Sequence, residues 1–328
     1  MPRVLITTVP FAQNNRLPID LLKKANIEYS INPLNKKLTE KELKKLVTDF
    51  DAIIAGTELI SAEVMDAATN LKMISRVGVG LDSVDLMAAK KRGIKVSYTP
   101  EAPAPAVSEL TIGLMLSLLR SVHVSNKGLH EGIWRRFFGL RIENIKIGII
   151  GVGRIGLRVL EHTKAFGNPE ILANDLYPID GLEKKFNLYW TSKEKILKEA
   201  DMLTIHVPLT ASTKNMIGKE QLLQMKNDAF IINTARGGII NEQDLFEVLD
   251  SGHLGGAAID VFEVEPYNGP LTKIDRCLLT SHMGSMSNDC REKMEIEAVE
   301  EAIRFLKGKK LYNEVPEYEY NAQIRDLE

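Results

Sequence analysis

Residues 145 to 156 read Ile-Lys-Ile-Gly-Ile-Ile-Gly-Val-Gly-Arg-Ile-Gly, an apolar run that ends in three glycines with the spacing GxGxxG. We expect Gly151 to make a tight turn off a strand and Gly153 to let backbone N–H groups approach an anionic phosphate. Gly156 is expected to let the following helix pack closely against the sheet. A bare GxGxxG match is weak evidence, because glycine-rich turns also occur in α/β domains that bind no cofactor.

The residues after this motif strengthen its interpretation. A helical segment from Arg158 to Phe166 is followed by a second apolar run, which ends in Asp175, 19 residues after Gly156. An acid at that distance is placed to bind a ribose 2′-OH and to repel a 2′-phosphate. The arrangement of strand, turn, helix, strand and acid therefore predicts an NAD site.

Length and composition limit the function classes. A chain of 328 residues is expected to form two domains, and 44% hydrophobic with 26% charged residues is typical of a globular protein. The net charge of -2 favours neither nucleic acid nor an anionic membrane, and no apolar stretch is long enough to span a bilayer. The N-terminus reads as a first strand, not as a signal peptide. Cys277 and Cys290 match neither a disulfide framework nor a metal site, so we expect a reducing cytoplasm and no metal.

The first 98 residues alternate short apolar runs with helical patterns, which predicts βαβ units and a parallel sheet. The predicted strands are Val4–Thr8, Glu28–Ile31, Ala52–Ala55, Met73–Arg76 and Lys95–Tyr98. The predicted helices are Leu17–Ala25, Glu40–Asp49, Ala62–Ala68 and Val84–Arg92.

A proline-rich segment follows the first 98 residues. Pro100, Pro103 and Pro105 make the segment stiff and non-helical, and we interpret it as a domain hinge. The segment from Ala106 to about His130 is predicted to be one long helix that is apolar on nearly all faces. Such a helix needs cover on all sides, so we expect a homodimer through residues 106–130.

After Asp175 the sequence again alternates between strand and helix patterns. Strands are predicted at Met202–Ile205, Ala229–Ile232, Gly256–Val261 and Cys277–Thr280, and helices at Ser192–Ala200, Lys219–Met225 and Asn241–Asp250. A final amphipathic helix is predicted from Asn288 to Lys307, and the polar, acidic tail from Tyr312 to Glu328 is expected to be partly disordered.

Residues with useful chemistry follow the predicted strands. Asp175, His206, Arg236, Glu265 and His282 each come within a few residues of a strand end, and the carboxyl ends of parallel strands share one edge of the sheet, where ligands bind. Of the two histidines at predicted strand ends, His282 is a better acid–base candidate than His206, because it follows the last strand and precedes a glycine. The other four histidines lie on or beside predicted helices, where solvated or packing roles are expected.

A second loop offers two interpretations. Arg76-Val77-Gly78-Val79-Gly80 leaves a predicted strand through two glycines. It can be a simple turn, or its backbone N–H groups can cradle a carboxylate. The residues alone do not decide between these.

Several stretches, in this order and spacing, resemble the D-isomer-specific 2-hydroxyacid dehydrogenase family over nearly the whole chain. They are Arg76–Asp85, Gly148–Gly156 with Asp175, His206–Thr210, Asn233–Gly238, Ala258–Phe262 with Glu265-Pro266, and His282–Ser285. The resemblance implies an NAD-dependent oxidoreductase that interconverts a D-2-hydroxy acid and its 2-keto acid. Arg236 resembles the family's substrate-binding arginine, His282 its acid–base, and Glu265 the acid that orients this imidazole and favours its protonation.

The resemblance also implies a fold and a wider site. The fold would be α/β, with a Rossmann-type NAD domain (residues 99–286) inserted into a flavodoxin-like substrate domain (residues 1–98 and 287–328). Val79 and Gly80, with Arg76, would lie near the substrate. The cofactor contacts implied beyond the glycines and Asp175 are Thr111, Arg154, Ile155, His206, Val207, Pro208, Thr213, Thr234, Ala235, Asp260, Gly284 and Ser285.

The substrate stays open at this level. The arrangement around Arg76 and Trp134-Arg135-Arg136 looks most like the family's phosphoglycerate dehydrogenase branch. Arg76, Arg135 and Arg136 can pair with a distal phosphate or can be surface charges. Hydroxypyruvate or glyoxylate reduction is the alternative activity. A different class, the C-terminal-binding-protein corepressors, uses this fold as an NAD-responsive scaffold and keeps the same three catalytic residues.

Overall fold

The computed structural model of this protein describes residues 1–325. The chain divides into two compact units, the first formed by Met1–Pro103 with the residues from Ser285 onward, and the second by Ala104–Gly284. Each unit contains one sheet.

The strands of the described chain, in order, are β1 (Arg3–Ile6), β2 (Glu28–Ile31), β3 (Ala52–Ala55), β4 (Met73–Arg76), β5 (Lys95–Ser97), β6 (Lys146–Ile150), β7 (Glu170–Asn174), β8 (Leu188–Trp190), β9 (Met202–Ile205), β10 (Phe230–Asn233), β11 (Gly256–Ile259) and β12 (Cys277–Leu279). The helices are α1 (Leu17–Lys24), α2 (Glu40–Leu46), α3 (Ala62–Ala67), α4 (Leu86–Lys91), α5 (Ala104–Leu119), α6 (Val122–His130), α7 (Arg154–Lys164), α8 (Leu182–Lys185), α9 (Lys193–Glu199), α10 (Lys219–Gln224), α11 (Glu242–Asp250), α12 (Asn288–Leu306) and α13 (Glu317–Arg325).

The first unit has a parallel five-stranded sheet in the order β2-β1-β3-β4-β5, which is the flavodoxin-like order. Its central strand β3 is a run of four buried residues, as expected for a strand covered on both faces. The helix α12 packs on β3 and β4, where the Ser75 hydroxyl donates to the carbonyl of Ala298 at 2.8 Å. The long helix α12 therefore belongs to the unit formed by the N-terminal residues.

The second unit has a parallel seven-stranded sheet in the order β12-β11-β10-β9-β6-β7-β8. The strand order reverses between β6 and β9, and such a switch point opens a crevice at the carboxyl ends of the strands. Two parallel sheets of these orders confirm the predicted α/β class. The helix α8 and the edge strand β8 were not predicted, because they are too short to show a period.

The predicted single helix from Ala106 to His130 is wrong. The helices α5 and α6 are bent by 66° at a short break, where Ser121 has a left-handed φ of 49°. The apolar residues of α5 are also mostly covered within the second unit, since Leu114 and Leu118 are only 3% and 2% exposed. A partner subunit is therefore not needed to bury them.

The prediction of a partly disordered tail is wrong for residues 317–325, which form α13. This helix packs on α4, and Tyr320 is buried against it. The Gln323 side chain accepts the Leu86 N–H at 2.9 Å and donates to the Val84 carbonyl at 2.9 Å, so it supplies the backbone partners that solvent would otherwise provide. The remaining tail residues, 326–328, lie outside the described part of the chain.

None of the helices in residues 1–325 is by itself long and apolar enough to cross a membrane; α5 and α6 meet the criterion only when the bent pair is taken together. The same residues contain no group of three or more histidine, cysteine or acidic side chains arranged to hold a metal ion.

Candidate active site

The glycine turn, Asp175, His206, Arg236 and His282 all follow strands of the second sheet. Because every strand pair in this sheet is parallel, these residues lie at one edge, as the sequence analysis predicted. The turn follows β6 and His206 follows β9, so these two flank the point where the strand order reverses.

A glycine fits each of the three positions of the motif for a different physical reason. Gly151 has a φ of +94°, and a Cβ there would lie 2.7 Å from the His206 carbonyl group. A Cβ on Gly156 would lie 2.1 Å from the Gly151 carbonyl oxygen, so this glycine lets α7 approach the turn itself. A Cβ on Gly153 would meet nothing within 4 Å, which leaves open space in front of the turn.

The N-terminus of α7 is available to an anion. Gly153 is its N-cap and provides no side-chain hydrogen bond to the first turn. The N–H groups at the start of a helix have no intrahelical acceptor and carry partial positive charge. Together with the open space at Gly153, they fit a pyrophosphate.

Asp175 ties the ends of β6 and β7 together. Its Oδ2 accepts the Val152 N–H at 2.7 Å, and its Oδ1 accepts the Tyr177 N–H at 2.9 Å. A carboxylate has about four acceptor positions, so two ribose hydroxyls can still be bound. Within the glycine turn, the N–H of Val152 is therefore occupied by Asp175, a contact that the motif alone did not predict.

His206 packs under the glycine turn, and burial lowers its pKa to about 3. Its imidazole is therefore neutral, with the Nε2 atom 3.0 Å from the Thr204 hydroxyl. A neutral ring without a second titratable partner is suited to shaping the turn, and this agrees with the choice of His282 as the acid–base.

Arg236 lies in a turn that Asn233 and Gly237 fix. The Asn233 side chain, on a residue only 2% exposed, accepts the Ala235 N–H at 3.0 Å and donates to the Arg236 carbonyl at 2.8 Å. A Cβ on Gly237 would lie 2.0 Å from the carbonyl carbon of Phe262, so the backbone after Arg236 touches the backbone that leads to Glu265. Neither the hydrogen bonds of the Asn233 side chain nor the close approach of Gly237 was predicted from the sequence. The asparagine at the end of β10 was the signal that could have indicated the first of them.

Glu265 and His282 form a pair, as predicted. The His282 Nδ1 lies 2.9 Å from Oε1 and 3.0 Å from Oε2 of Glu265, and the Phe262 N–H donates to Oε1 at 3.2 Å. A carboxylate at Nδ1 holds the proton on that nitrogen, so Nε2 is the atom left for chemistry. The side chains are partly open to solvent, 33% for His282 and 22% for Glu265.

The loop that carries Glu265 is braced on both sides. The rings of Phe262 and Tyr267 stack at 4.1 Å, and the Tyr267 hydroxyl accepts the Leu271 N–H at 3.2 Å. The Glu242 carboxylate accepts the Glu263 N–H at 2.6 Å, and burial raises the pKa of Glu242.

The other predicted cofactor residues fall into three groups. Some are engaged within the protein: the Thr111 and Thr234 hydroxyls lie 2.9 Å apart, Thr213 donates to the Pro208 carbonyl at 2.7 Å, and Asp260 binds the loop that carries His282. Others lie at or near the surface of the second unit, namely Ile155, Val207 and Pro208, while Arg154 is exposed on α7. Ala235 and Gly284 are buried, and Ser285 falls in the first unit.

The predicted substrate residues of the first unit lie at the end of β4 and directly after it. The Arg76 side chain is turned inward, with its residue 5% exposed and its Nη1 donating to the Val77 carbonyl. Gly78 donates its N–H to the Thr99 hydroxyl at 2.8 Å and accepts the Thr99 N–H at 3.0 Å. Within residues 1–325, the backbone N–H groups of Val79 and Gly80 bond to no protein acceptor, which suits the cradle interpretation.

Comparison with known proteins agrees with this geometry. Residues 112–284 match the family model for the D-isomer specific 2-hydroxyacid dehydrogenase, NAD binding domain. The chain is 35% identical over 87% of its length to a hydroxypyruvate reductase of Thermotoga maritima, of which it covers 93%. It is also 37% identical over 85% of its length to a D-3-phosphoglycerate dehydrogenase of Methanocaldococcus jannaschii, but spans only 54% of that protein. The crystal structure of an Aquifex aeolicus D-lactate dehydrogenase complexed with NAD and lactic acid matches with a TM-score of 0.84 at 25% identity, covering 95% of this chain and 98% of that one.

Proposed function

Because this chain belongs to the D-isomer specific 2-hydroxyacid dehydrogenase family, an NAD-dependent oxidoreductase family, we propose that it interconverts a D-2-hydroxy acid and its 2-keto acid. Family membership confirms the resemblance seen in the sequence. The observation that carries the proposal is the His282–Glu265 contact of 2.9 Å at the carboxyl edge of the second sheet.

The residues present fit the family's cofactor. The open space at Gly153, the uncapped N-terminus of α7 and the Asp175 carboxylate match a pyrophosphate and a ribose diol. Held there, NAD would supply the oxidant for the hydroxy acid, and NADH the reductant for the keto acid.

His282 and Glu265 handle the proton. On reduction, the His282 Nε2 donates a proton to the substrate oxygen on which negative charge develops, and on oxidation it takes that proton back. The Glu265 carboxylate at Nδ1 fixes the tautomer and stabilises the imidazolium that reduction requires.

Arg236 binds the substrate carboxylate. Its guanidinium presents a planar fork of N–H donors that matches a carboxylate, and Asn233 and Gly237 fix the turn that carries it. In the first unit, the N–H groups of Val79 and Gly80 can also cradle a carboxylate, because they bond to no acceptor among the described residues.

The substrate is either 3-phosphoglycerate or a smaller acid of the glyoxylate and hydroxypyruvate type. Arg76 is turned inward, which reduces the support it gives to a phosphate site, whereas Arg135 and Arg136 are exposed. Relatives named for both kinds of substrate match this chain at similar identity.

A panel of 2-keto acids tests the proposed function. With NADH, the chain should reduce at least one of phosphohydroxypyruvate, hydroxypyruvate and glyoxylate with saturable kinetics, and NADPH should give a lower kcat/KM because Asp175 repels a 2′-phosphate. Equal kcat/KM values for the two cofactors would contradict the Asp175 assignment. Tight NADH binding with no reduction of any acid would favour the scaffold alternative over the enzyme.

We also propose a homodimer and a reducing cytoplasm. Leu116, Val122 and Leu129 line a groove of about 590 Å³ on α5 and α6. The segment that follows α6 exposes several large apolar side chains, among them Trp134 at 82% and Phe138 at 107%. A surface that carries both a groove and apolar side chains can pair with its own copy about a two-fold axis. The compartment is supported by the two free cysteines, each buried within its own unit.

The groove gives a prediction for assembly. Leu129→Glu and Trp134→Glu, which alter residues 57% and 82% exposed, should convert a dimer to soluble monomers in sedimentation velocity at micromolar concentration. Leu223→Glu, at an apolar site 49% exposed on α10, is the matched control and should stay dimeric. Leu114 and Leu118 are unsuitable targets, since charges there would unfold the second unit. A wild-type chain that sediments as a monomer would refute the dimer.

A further inference from the structure

Asp260 directly follows β11 and holds the loop that carries His282. Its residue is 1% exposed. Oδ1 accepts the Thr280 hydroxyl at 2.6 Å and the Met283 N–H at 2.8 Å, and Oδ2 accepts the Gly284 N–H at 2.9 Å. The backbone carbonyl of Asp260 accepts the His282 N–H at 2.8 Å. One residue therefore accepts hydrogen bonds from four residues of this loop.

The loop needs such support, because His282 has a φ of +53° in the left-handed region. A histidine in this conformation persists only where its surroundings determine it. The contacts of Asp260 lie on both sides of this residue, at Thr280 before it and at Met283 and Gly284 after it.

The carboxylate itself is required for this arrangement. Within residues 1–325 no cation pairs with Asp260, so its buried negative charge is balanced by N–H and O–H donors from the loop. An asparagine offers only one acceptor oxygen, and its NH₂ group would face a backbone N–H. The amide is thus a nearly isosteric change that removes at least one loop contact.

We propose that Asp260 is a positioning residue for the proton-transfer step, beyond the cofactor contact that family resemblance implies for it. It fixes the His282 backbone so that Nδ1 reaches Glu265 and Nε2 is presented to the substrate oxygen. The inference rests on the proposed acid–base role of His282.

The test uses Asp260→Asn and Thr280→Val, with Thr280→Ser as the matched control that keeps the hydroxyl. At saturating NADH and keto acid, Asp260→Asn should lower kcat by about 10²-fold, the usual cost of a misplaced reacting group. Thr280→Val should lower kcat by a smaller factor, Thr280→Ser should restore it, and the KM for NADH should change little. The solvent deuterium isotope effect on kcat should increase in Asp260→Asn, since proton transfer becomes slower.

Hydrogen exchange by mass spectrometry gives a readout that does not depend on turnover. Peptides that cover residues 281–285 should exchange faster in Asp260→Asn and Thr280→Val, with the rest of the second unit unchanged. If wild-type protein reduces no acid, the proposed function fails, while exchange still decides whether Asp260 holds the loop. An unchanged kcat with a raised KM for NADH in both variants would make Asp260 a cofactor ligand only and overturn the proposal, as would unchanged exchange in Thr280→Val.

Discussion

His282→Ala should lower the rate of keto-acid reduction by about 10²–10⁴-fold, the range that a positioned general acid contributes. The substitution removes an imidazole whose Nδ1 is bound to a carboxylate, so that Nε2 remains as the nitrogen for proton transfer. Its effect should appear in kcat, because proton donation stabilises the transition state more than the bound substrate. Steady-state kinetics at saturating NADH measures it, and NADH affinity measured by fluorescence should stay nearly unchanged. His130→Ala, at an exposed histidine on α6, is the matched control and should keep wild-type kcat.

Glu265→Gln tests the partner of His282 in the same experiment. Glutamine keeps the size of the side chain and can keep a hydrogen bond to Nδ1, but it removes the negative charge 2.9 Å away. The imidazolium is then less stable, so reduction, which starts from it, and oxidation, which forms it, should both have a lower kcat, while NADH affinity is retained. If kcat in both directions equals that of the wild type, Glu265 is a loop acid and not a partner of the acid–base.

The fold was largely predictable because both sheets are parallel and buried. Strands such as β3, β4 and β9 are uninterrupted runs of buried residues, and their bounds match those predicted. The break between α5 and α6 was not predictable, since it depends on a left-handed Ser121, a residue type without a strong preference for that conformation. The helix α13 was also missed, because its sequence is polar and it is held mainly by the contacts of Tyr320 and Gln323 with distant residues.

The site was predictable only in part. Strand-end position identified the edge at which Arg236 and His282 lie, and the structure adds the contact between His282 and Glu265. Contacts that join distant loops leave no local pattern, and two examples are the close approach of Gly237 to Phe262 and the bonds from Asp260 to residues 280–284. Such contacts fix where a catalytic group points, and this is the information that composition and spacing do not carry.

Arg236→Lys should lower kcat/KM by about 10²-fold, although the charge is preserved. A lysine ammonium is a point charge that cannot form the two parallel bonds of a guanidinium to a carboxylate, so the α-carbon would no longer be held in one orientation. Asn233 and Gly237 fix the backbone at this position, so the turn itself should not change with the side chain. Both KM for the keto acid and kcat should therefore suffer, while NADH affinity is retained. Arg141→Lys, at an exposed arginine paired with Glu143 at 2.6 Å, is the matched control and should behave as wild type. An Arg236→Lys enzyme with wild-type kcat and KM would show that the substrate carboxylate is bound elsewhere, with the N–H groups of Val79 and Gly80 as the next candidates.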